Sequence, residues 1–457
     1  MKDRAGLRSD SLAFPEVLAA SVALIGPSMT PILIAPYMYA NAGNASWLAY
    51  VFGGVMLLFV ALNLNQFARR TTGAGSMYEY AAANLGTSMG ALAGWTLVWA
   101  YVFVGASQFG AMTIFVQNLL GLAGWQVPAL LIFAIAAGVW WIFAYRDIQL
   151  STILMLALET ISVSIICVLV FLVLFKHGPS IDAPQLHLQG MSGTSIGLGI
   201  AFAMFSFVGF ESATAFGEEA KQPLVTIPRA VLASVVLASI FFILCIYAEI
   251  VGLRGAKTPL DQLSAPLWAL ADRFGAGYFK IPIAIGAIFS SFSVALACVT
   301  TGARIILPMA RKGLFPAAAA RIQPRYATPH IAVAIVVIAM LIVALAMYAA
   351  RVSPINIFNY CGTLSSFGFI VIYAFIAIAA PRFLRRIGDH RPVDYAIAAL
   401  ALLCLLVPAI TLFYPAPPPP TNAFAYIFLL YIGAGYAYFA IVRRRSRSAA
   451  LFEAPTP

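Results

Sequence analysis

The stretch from Phe205 to Pro223, FSFVGFESATAFGEEAKQP, places a carboxylate, Glu211, inside an apolar segment that Gly209 interrupts. An isolated charge in hydrocarbon costs roughly 3 kcal/mol on insertion scales, so a carboxylate in a membrane span must be bonded or neutralised. Glu211 is therefore a candidate functional residue. The alternative is a Glu that stays protonated and hydrogen-bonds a neighbouring helix.

A second apolar stretch, near the start of the chain, is interrupted in a similar way. Residues 25–31 have the sequence IGPSMTP, and its two proline rings remove backbone donors and clash with the preceding turn. Kinked membrane helices with Pro are common, so this segment alone indicates little. Interrupted segments at corresponding places in two halves of a chain, however, are typical of a transporter's binding site at the membrane midplane.

The composition excludes a soluble globular protein. Of the 457 residues 62% are hydrophobic and 9% charged, whereas soluble domains have about 25% charged residues. Only helices and closed barrels satisfy every backbone group in lipid, and the alternation typical of barrel strands is not found in the sequence. We therefore predict an all-α polytopic membrane protein that contacts the lipid bilayer along its length.

Twelve apolar segments are long enough to cross a bilayer as helices, which takes roughly 20 residues each. They lie at about 15–41, 46–66, 89–120, 128–145, 149–175, 194–219, 226–252, 279–310, 329–350, 353–380, 393–414 and 422–442. We predict a cytoplasmic tail at 1–14 and a transporter core at 15–391, which holds spans 1 to 10 with their loops. Spans 11 and 12 follow at 392–442, and a basic cytoplasmic tail at 443–457.

The basic charge has a topological explanation. Most of the 27 Lys and Arg residues lie on one predicted side of the bilayer, and the formal net charge is +11. Because loops rich in Lys and Arg stay cytoplasmic, we predict that both termini are cytoplasmic and that the protein lies in the cytoplasmic (inner) membrane. Orientation and contact with anionic lipid account for the charge, so no nucleic-acid partner is expected.

The sequence predicts neither a cofactor nor a metal centre. The five cysteines lie in apolar runs without metal-ligand spacing, and the four histidines lie in connections or at the ends of spans. No ATP-binding motif is evident, so primary energy coupling is not expected. A convergent catalytic set is not evident either, so we do not predict an enzyme.

The two interrupted segments suggest complementary halves of a binding site. Free amides where a helix restarts in the segment Gly26 to Thr30 suit an anion such as a carboxylate, and Ser28 and Thr30 add hydroxyls. Unwound backbone around Phe207 to Glu211 exposes carbonyls that suit an ammonium group or a cation. Together they match a zwitterion, provided that the two segments meet in space.

Other residues in the spans are weaker candidates. Tyr101, Phe205 and Phe207 suit closure over a substrate, although aromatic residues more often only pack. Tyr101 and Gln108 lie seven residues apart, so one helix face can bring both to a cavity wall.

Glu159 suits two roles equally well, proton coupling and neutral hydrogen-bond donation between helices. Ser290 and Ser291 lie in the eighth span, and Glu249, near the outer end of its span, is expected to reach water.

Three motifs resemble the amino acid, polyamine and organocation (APC) permeases. The segment 205–230, FSFVGFESATAFGEEAKQPLVTIPRA, is similar to the sixth-helix signature of that superfamily, with its GFE core and its EEAK-x-P-x-x-x-I-P-R-A exit. The segment 73–86, GAGSMYEYAAANLG, resembles the loop before the third helix. ARIILPMARKGLFP at 303–316 resembles the segment after the eighth helix. The likeness extends over about residues 14 to 391.

The resemblance implies a LeuT-like fold of two inverted five-helix repeats plus two C-terminal helices, with helices 1 and 6 unwound at the midplane, where substrate binds. It implies a substrate carboxylate at Gly26, Pro27, Ser28, Met29 and Thr30. The amine and the side chain of the substrate would contact the segment Phe205 to Gly209. Glu211 falls where some proton-linked antiporters of the family keep a Glu implicated in pH sensing and gating.

Two features depart from the family pattern. The first-helix segment lacks the second Gly that lets substrate approach the backbone closely. The fifth helix at 149–175 has no Lys, which in some members replaces a sodium ion, and Ser162 is nearest to that position. A cation site near Ser290 and Ser291 is a further possibility that the resemblance raises.

The sequence therefore predicts a secondary active transporter of amino acids that works by alternating access. Proton coupling, with Glu211 and Glu159 as the coupling or gating residues, or substrate exchange is expected, and sodium coupling is the alternative. The partner is a small amine-containing substrate. A transporter of polyamines or other organic amines is the alternative function, and a membrane nutrient receptor that does not transport is a further one.

Overall fold

The computed structural model describes residues 13–71, 77–146, 149–178, 182–188, 192–216, 220–326, 328–414 and 417–452. In these ranges the chain forms helices and no strand, and Gln323 and Thr328 make one isolated bridge. The prediction of an all-helical chain is confirmed for the described residues.

Sixteen α-helices are described. They are α1 Phe14–Ile25, α2 Ala35–Ala42, α3 Ser46–Ala68, α4 Met77–Leu85, α5 Thr87–Gly121, α6 Ala129–Arg146, α7 Gln149–His177, α8 Ala183–Leu186, α9 Gly193–Phe207, α10 Pro223–Leu253, α11 Pro266–Arg273, α12 Lys280–Arg311, α13 His330–Ala349, α14 Pro354–Arg386, α15 Pro392–Thr411 and α16 Phe424–Phe452. A π-helical turn at Thr30–Ile34 precedes α2, and a 3₁₀ turn at Phe210–Phe216 follows α9. Four helices begin at a proline, whose missing amide hydrogen costs nothing at that position: α10, α11, α14 and α15.

Eleven helical segments of the described chain are long and apolar enough to cross a membrane. The first predicted span, 15–41, does not appear as one helix. Helix α1 has 12 residues, which is fewer than the roughly 20 that a bilayer requires. The second half of that span and α3 form one apolar segment of 39 residues, Thr30–Ala68. The described residues therefore form eleven membrane-capable helical segments where twelve spans were predicted.

Helix α5 lies at the centre of the bundle and packs along both α12 and α14, while α3 packs along α10. Large apolar side chains on α7, α15 and α16 are exposed, including Phe171, Leu403 and Leu430. Such exposure is typical of a surface that lipid covers.

The two ends of the bundle differ in structure. The upper end carries the junction between α2 and α3, helix α8, residues 260–265 and α11, and Arg254 forms an ion pair there with Asp182. At the lower end Arg70, just after α3, forms an ion pair with Asp389, just after α14. Helices α5, α12 and α14 run between these two ends.

Candidate functional site

The first interruption lies between α1 and the π-helical turn. Gly26 follows the last residue of α1 and has a φ of +64°, a conformation that residues with a Cβ rarely adopt. The space is also restricted, because a Cβ on Gly26 would lie 2.7 Å from side-chain atoms of both Met29 and Val294. Gly26 therefore allows the chain to leave the α1 axis where no larger residue fits.

The second interruption lies between α9 and the 3₁₀ turn. Val208 is extended, with φ of −52° and ψ of 130°, and Gly209 has a φ of +114°. The Gly209 amide then donates to Glu211 Oε2 over 3.2 Å. The helix ends because Gly209 takes a conformation that only glycine adopts readily.

These two interruptions meet in space. A Cβ on Gly209 would lie 2.8 Å from the Leu24 carbonyl carbon and 2.9 Å from its oxygen. The Ser21 hydroxyl on α1 donates to the Phe210 carbonyl over 3.1 Å. The sequence analysis assumed this contact between the two segments, and the structure shows it.

Glu211 is buried and accepts hydrogen bonds from three elements. Its Oε1 accepts from the Tyr101 hydroxyl on α5 over 3.0 Å, and its Oε2 accepts from the Tyr373 hydroxyl on α14 over 3.3 Å. The Gly209 amide is the third donor. The side chain thus connects the second interruption to the two central helices. Sequence analysis found Tyr101 but missed Tyr373, which is 162 positions away in an apolar run without a local signal.

Glu159 is buried beside the first interruption. Its Oε1 accepts from the Ser28 amide over 3.0 Å and from the Ser290 hydroxyl over 3.1 Å. Among the described residues its Oε2 and the Ser28 hydroxyl have no hydrogen-bond partner. Ser162 instead faces α12, since a Cβ on Gly286 would overlap its hydroxyl. The α7 side chain that bonds the first interruption is Glu159.

Ser290 and Ser291 bond to different partners. Ser290 donates to Glu159, whereas Ser291 donates to Gln108 Oε1 over 3.1 Å. Adjacent residues on a helix point in different directions, so their hydroxyls do not converge on one point. In the described ranges no three His, Cys, Asp or Glu side chains come close enough to hold a metal ion.

A small cavity lies between the two interruptions. Its lining includes Met29, Thr30, Gln108, Phe205 and Phe358, with Leu24, Ile25, Ile34, Val104, Ser206, Val208 and Val294 completing it. The volume of about 20 Å³ is room for roughly one water molecule. In this conformation the chain is closed around the predicted binding region.

Some predicted residues lie outside the cavity lining. Phe207 packs on the opposite side of α9, with its ring 5.3 Å from that of Phe242 and 6.2 Å from that of Tyr50. Tyr101 contacts Glu211 rather than the cavity. Phe358, which stacks edge-on against Phe205 at 5.5 Å, lines the cavity and was missed because an apolar residue in an apolar helix carries no local signal.

Glu249 differs from its expected position. It was predicted to reach water, but its side chain is fully buried. Neither carboxylate oxygen has a hydrogen-bond partner among the described residues. The α10 surface around Glu249 packs against other helices, as the nearby Gly252 does against Leu270 and Val173. The sequence alone does not show this packing, so it did not predict that Glu249 is buried.

Similar proteins are known from both sequence and structure. Over 351 residues the chain is 28% identical to cationic amino acid transporter 4 of Mus musculus, covering 72% of this chain and 53% of that protein. It is 24% identical to the branched-chain amino acid permease BcaP of Lactococcus lactis, with 77% of each chain covered. The chain therefore spans about half the length of the mouse relative. A solved manganese transporter of Eremococcus coleocola has the same overall fold, with a TM-score of 0.59, 12% identity and 95% of each chain covered.

These similar proteins are named as transporters or permeases, and none of them as an enzyme. The profile of the family described as amino acid permease matches residues 22–449, which is nearly the whole chain. With eleven helical segments able to cross a membrane, the protein is a multi-pass membrane protein. The chain belongs to the amino acid permease family.

Proposed function

We propose that this protein is a secondary active transporter that moves amino acids across the cytoplasmic membrane by alternating access. The observation that carries the proposal is the contact between the two helix interruptions, where the Gly209 backbone lies against Leu24. Two interrupted helices that meet bring backbone amides and carbonyls outside regular α-helix to one place, which suits both ends of a zwitterion. Family membership and the named amino acid transporters among its relatives support the same function.

The proposed architecture is the LeuT-like one. It has twelve spans, with two inverted repeats of five spans in residues 15–391 and two further spans in 392–442. The interruptions in spans 1 and 6 lie at the midplane, and the tails at 1–14 and 443–457 are cytoplasmic. The full-length likeness to a transporter structure and the distribution of Lys and Arg support this arrangement.

Substrate binding requires the first interruption to rearrange. The Ser28 amide donates to Glu159, and the Met29 amide donates to the Gly26 carbonyl over 3.0 Å. Both amides are therefore already bonded in the closed conformation, and the cavity holds no amino acid. We infer that opening releases these amides to a substrate carboxylate, while carbonyls near Val208 take the ammonium group.

Proton coupling is proposed at Glu211 and Glu159. As a carboxylate, Glu211 accepts from Tyr101, Tyr373 and Gly209. Protonation removes one acceptor position and loosens the attachment of the 3₁₀ turn to α5 and α14. Protonation of Glu159 likewise removes an acceptor position and loosens its bond to the Ser28 amide at the first interruption. Sodium near Ser290 and Ser291 is the alternative coupling ion, and their different hydrogen-bond partners give it less support.

The alternative of polyamine transport has less support from the cavity. A polycation needs several carboxylates, and the residues that line the central cavity include none. Transport of another organic amine needs only the carbonyls of the second interruption. A nutrient receptor would bind amino acids without moving them.

The test is counterflow uptake by purified protein in sodium-free liposomes, with labelled alanine, leucine, arginine and putrescine, and with and without an inward proton gradient. Saturable amino acid uptake that the gradient enhances supports the proposal. Uptake of putrescine alone supports the organic-amine alternative, and binding without flux supports the receptor. If uptake appears only after sodium is added, the proton assignment is wrong.

The coupling residue is tested with Glu211→Gln, which keeps an acceptor oxygen but does not titrate. We expect uptake to lose its pH dependence. Ser195→Ala is the control, because Ser195 lies at the start of α9, where it hydrogen-bonds Ser192 and not Glu211. Unchanged transport and unchanged pH dependence in Glu211→Gln would remove Glu211 from the coupling mechanism.

A further inference from the structure

A second, larger cavity opens at the upper end of the bundle. It has a volume of about 420 Å³, within the range of small-molecule binding pockets. Its walls come from the π-helical turn, α2, α5, residues 261–264 and the start of α14. Unlike the central cavity, it has room for an amino acid in the present conformation. We call it the vestibule.

Only a thin layer separates the vestibule from the central cavity. Ile32 and Leu33 line the vestibule, while Thr30 and Ile34 on the same π-helical turn line the central cavity. On α14, Asn359 lines the vestibule and its neighbour Phe358 lines the central cavity. A substrate in the vestibule is therefore one layer of side chains away from the proposed central site.

The vestibule lining has a distinct chemistry. Asp261 is its one charged residue, and no Lys or Arg lines it. In the described part of the chain, no salt bridge involves Asp261. Side-chain amides supply most of the remaining polar groups, with Gln117, Asn118 and Asn356 among them. A single carboxylate among neutral amides attracts an ammonium group, and the concave shape concentrates its field.

Asn359 provides a second, independent observation. The residue is only 8% exposed, and it lines the vestibule. Its backbone carbonyl accepts from Thr363, but its side-chain amide makes no hydrogen bond within the described residues. Because its amide atoms are not among the enclosed polar atoms that lack a partner, they are accessible from the vestibule, where a ligand or a water molecule can bond them.

We propose that the vestibule is an entry site for the substrate, in which Asp261 binds the ammonium group of an amino acid and the Asn359 amide binds its carboxylate. The inference rests on the proposed transport of amino acids and adds the chemistry of the entry step. The site accepts neutral and cationic amino acids and disfavours those with a second carboxylate, because the only charge in its lining is negative. It acts at one face of the membrane only, since the vestibule opens at the upper end.

The test uses Asp261→Asn and Asn359→Leu, with Asp272→Asn as the matched control. Asp272 lies at the same end of the bundle, where it pairs with Lys280 outside the vestibule. Uptake of labelled alanine, leucine and arginine is measured in whole cells and, from the opposite face, in inverted vesicles. We expect the Asp261 and Asn359 variants to raise the half-saturating concentration roughly five-fold from the vestibule face only. Maximal rates and the control should change less than two-fold.

An equal change at both faces, or no change in Asp261→Asn, would overturn the proposal. Binding of the same labelled amino acids to purified protein separates this outcome from a failure of the proposed function. If the wild type binds them in an Asp261-dependent manner but moves none, the vestibule site stands and the transport proposal fails. If it transports them and binding is independent of Asp261, transport stands and the vestibule site fails. If it neither binds nor moves them, both fail.

Discussion

The backbone of Gly209 lies directly against the carbonyl of Leu24, with no room for a Cβ between them. This contact joins the 3₁₀ turn to the end of α1 and brings together segments that are far apart in the sequence. The φ of +114° at Gly209 adds a second requirement for glycine. The geometry of the candidate site therefore depends on this one residue more than on any side chain.

Replacing Gly209 with Ala is expected to be strongly destabilising. Backbone strain and the overlap with Leu24 together should cost on the order of 3 kcal/mol, because backbone atoms cannot move away as a flexible side chain can. Thermal unfolding of purified protein and transport activity measure the effect. Gly138→Ala in α6 is the control, since a Cβ there meets nothing within 4 Å. Equal stability of the two variants would contradict the close approach.

Replacing Tyr101 with Phe is expected to destabilise the protein, because Glu211 loses one of its hydrogen-bond donors. The variant loses the 3.0 Å hydrogen bond, a cost of about 1 to 3 kcal/mol for a bond to a charged acceptor. Tyr373→Phe should cost less, because its bond is longer at 3.3 Å. The two effects should not be additive, since both hydroxyls bind one carboxylate. Thermal unfolding of the single and double variants gives the coupling energy, and strict additivity would argue against a shared acceptor.

Replacing Glu249 with Leu is expected to leave the protein equally stable or more stable. A buried carboxylate without hydrogen-bond partners costs free energy, and an apolar replacement removes that cost. Glu211→Leu is the contrasting variant, because it leaves the Tyr101 and Tyr373 hydroxyls without their acceptor. The thermal midpoint should fall in Glu211→Leu and should stay the same or rise in Glu249→Leu. A large loss of stability in Glu249→Leu would mean that its carboxylate has a role in the fold.

The ion pair between Arg70 and Asp389, at the lower end of the bundle, is expected to stabilise the fold in a pH-dependent way. The hydrogen bond from Arg70, and then its charge, lower the pKa of Asp389. The contribution of Asp389 to the stability of the fold is therefore fully present above its pKa in the unfolded chain, about 3.9. It is lost as the pH falls through the lower pKa of the folded state. The thermal midpoint of Asp389→Asn should lie slightly below that of the wild type at pH 7, and the difference should disappear as the pH falls through the folded pKa of Asp389.

Arg70→Gln provides the control for this pair. It should lose at least as much stability as Asp389→Asn, because Arg70 also donates to Gln66, and the double variant should lose no more than Arg70→Gln alone. A difference between wild type and Asp389→Asn that grows toward low pH would contradict the sign of the effect.

The sequence by itself determined the class of the protein and most of its elements. High hydropathy and scarce charge require helices in lipid, because only a helix or a closed barrel satisfies its own backbone there. The interruptions at Gly26 and Gly209 were also predictable, since Gly and Pro act on the local backbone wherever the rest of the chain lies. Glu211 was identifiable because a carboxylate in an apolar run is costly.

Tertiary structure alone decided which groups meet. The Tyr373 hydroxyl reaches Glu211, and the Glu159 carboxylate reaches the Ser28 amide. The packing of α10 likewise determines that Glu249 is buried and does not reach water. Each of these outcomes depends on how separate helices rotate and pack against one another. Local patterns specify the type and length of a helix, whereas the direction that one side chain faces is set by the combined packing of all its neighbours.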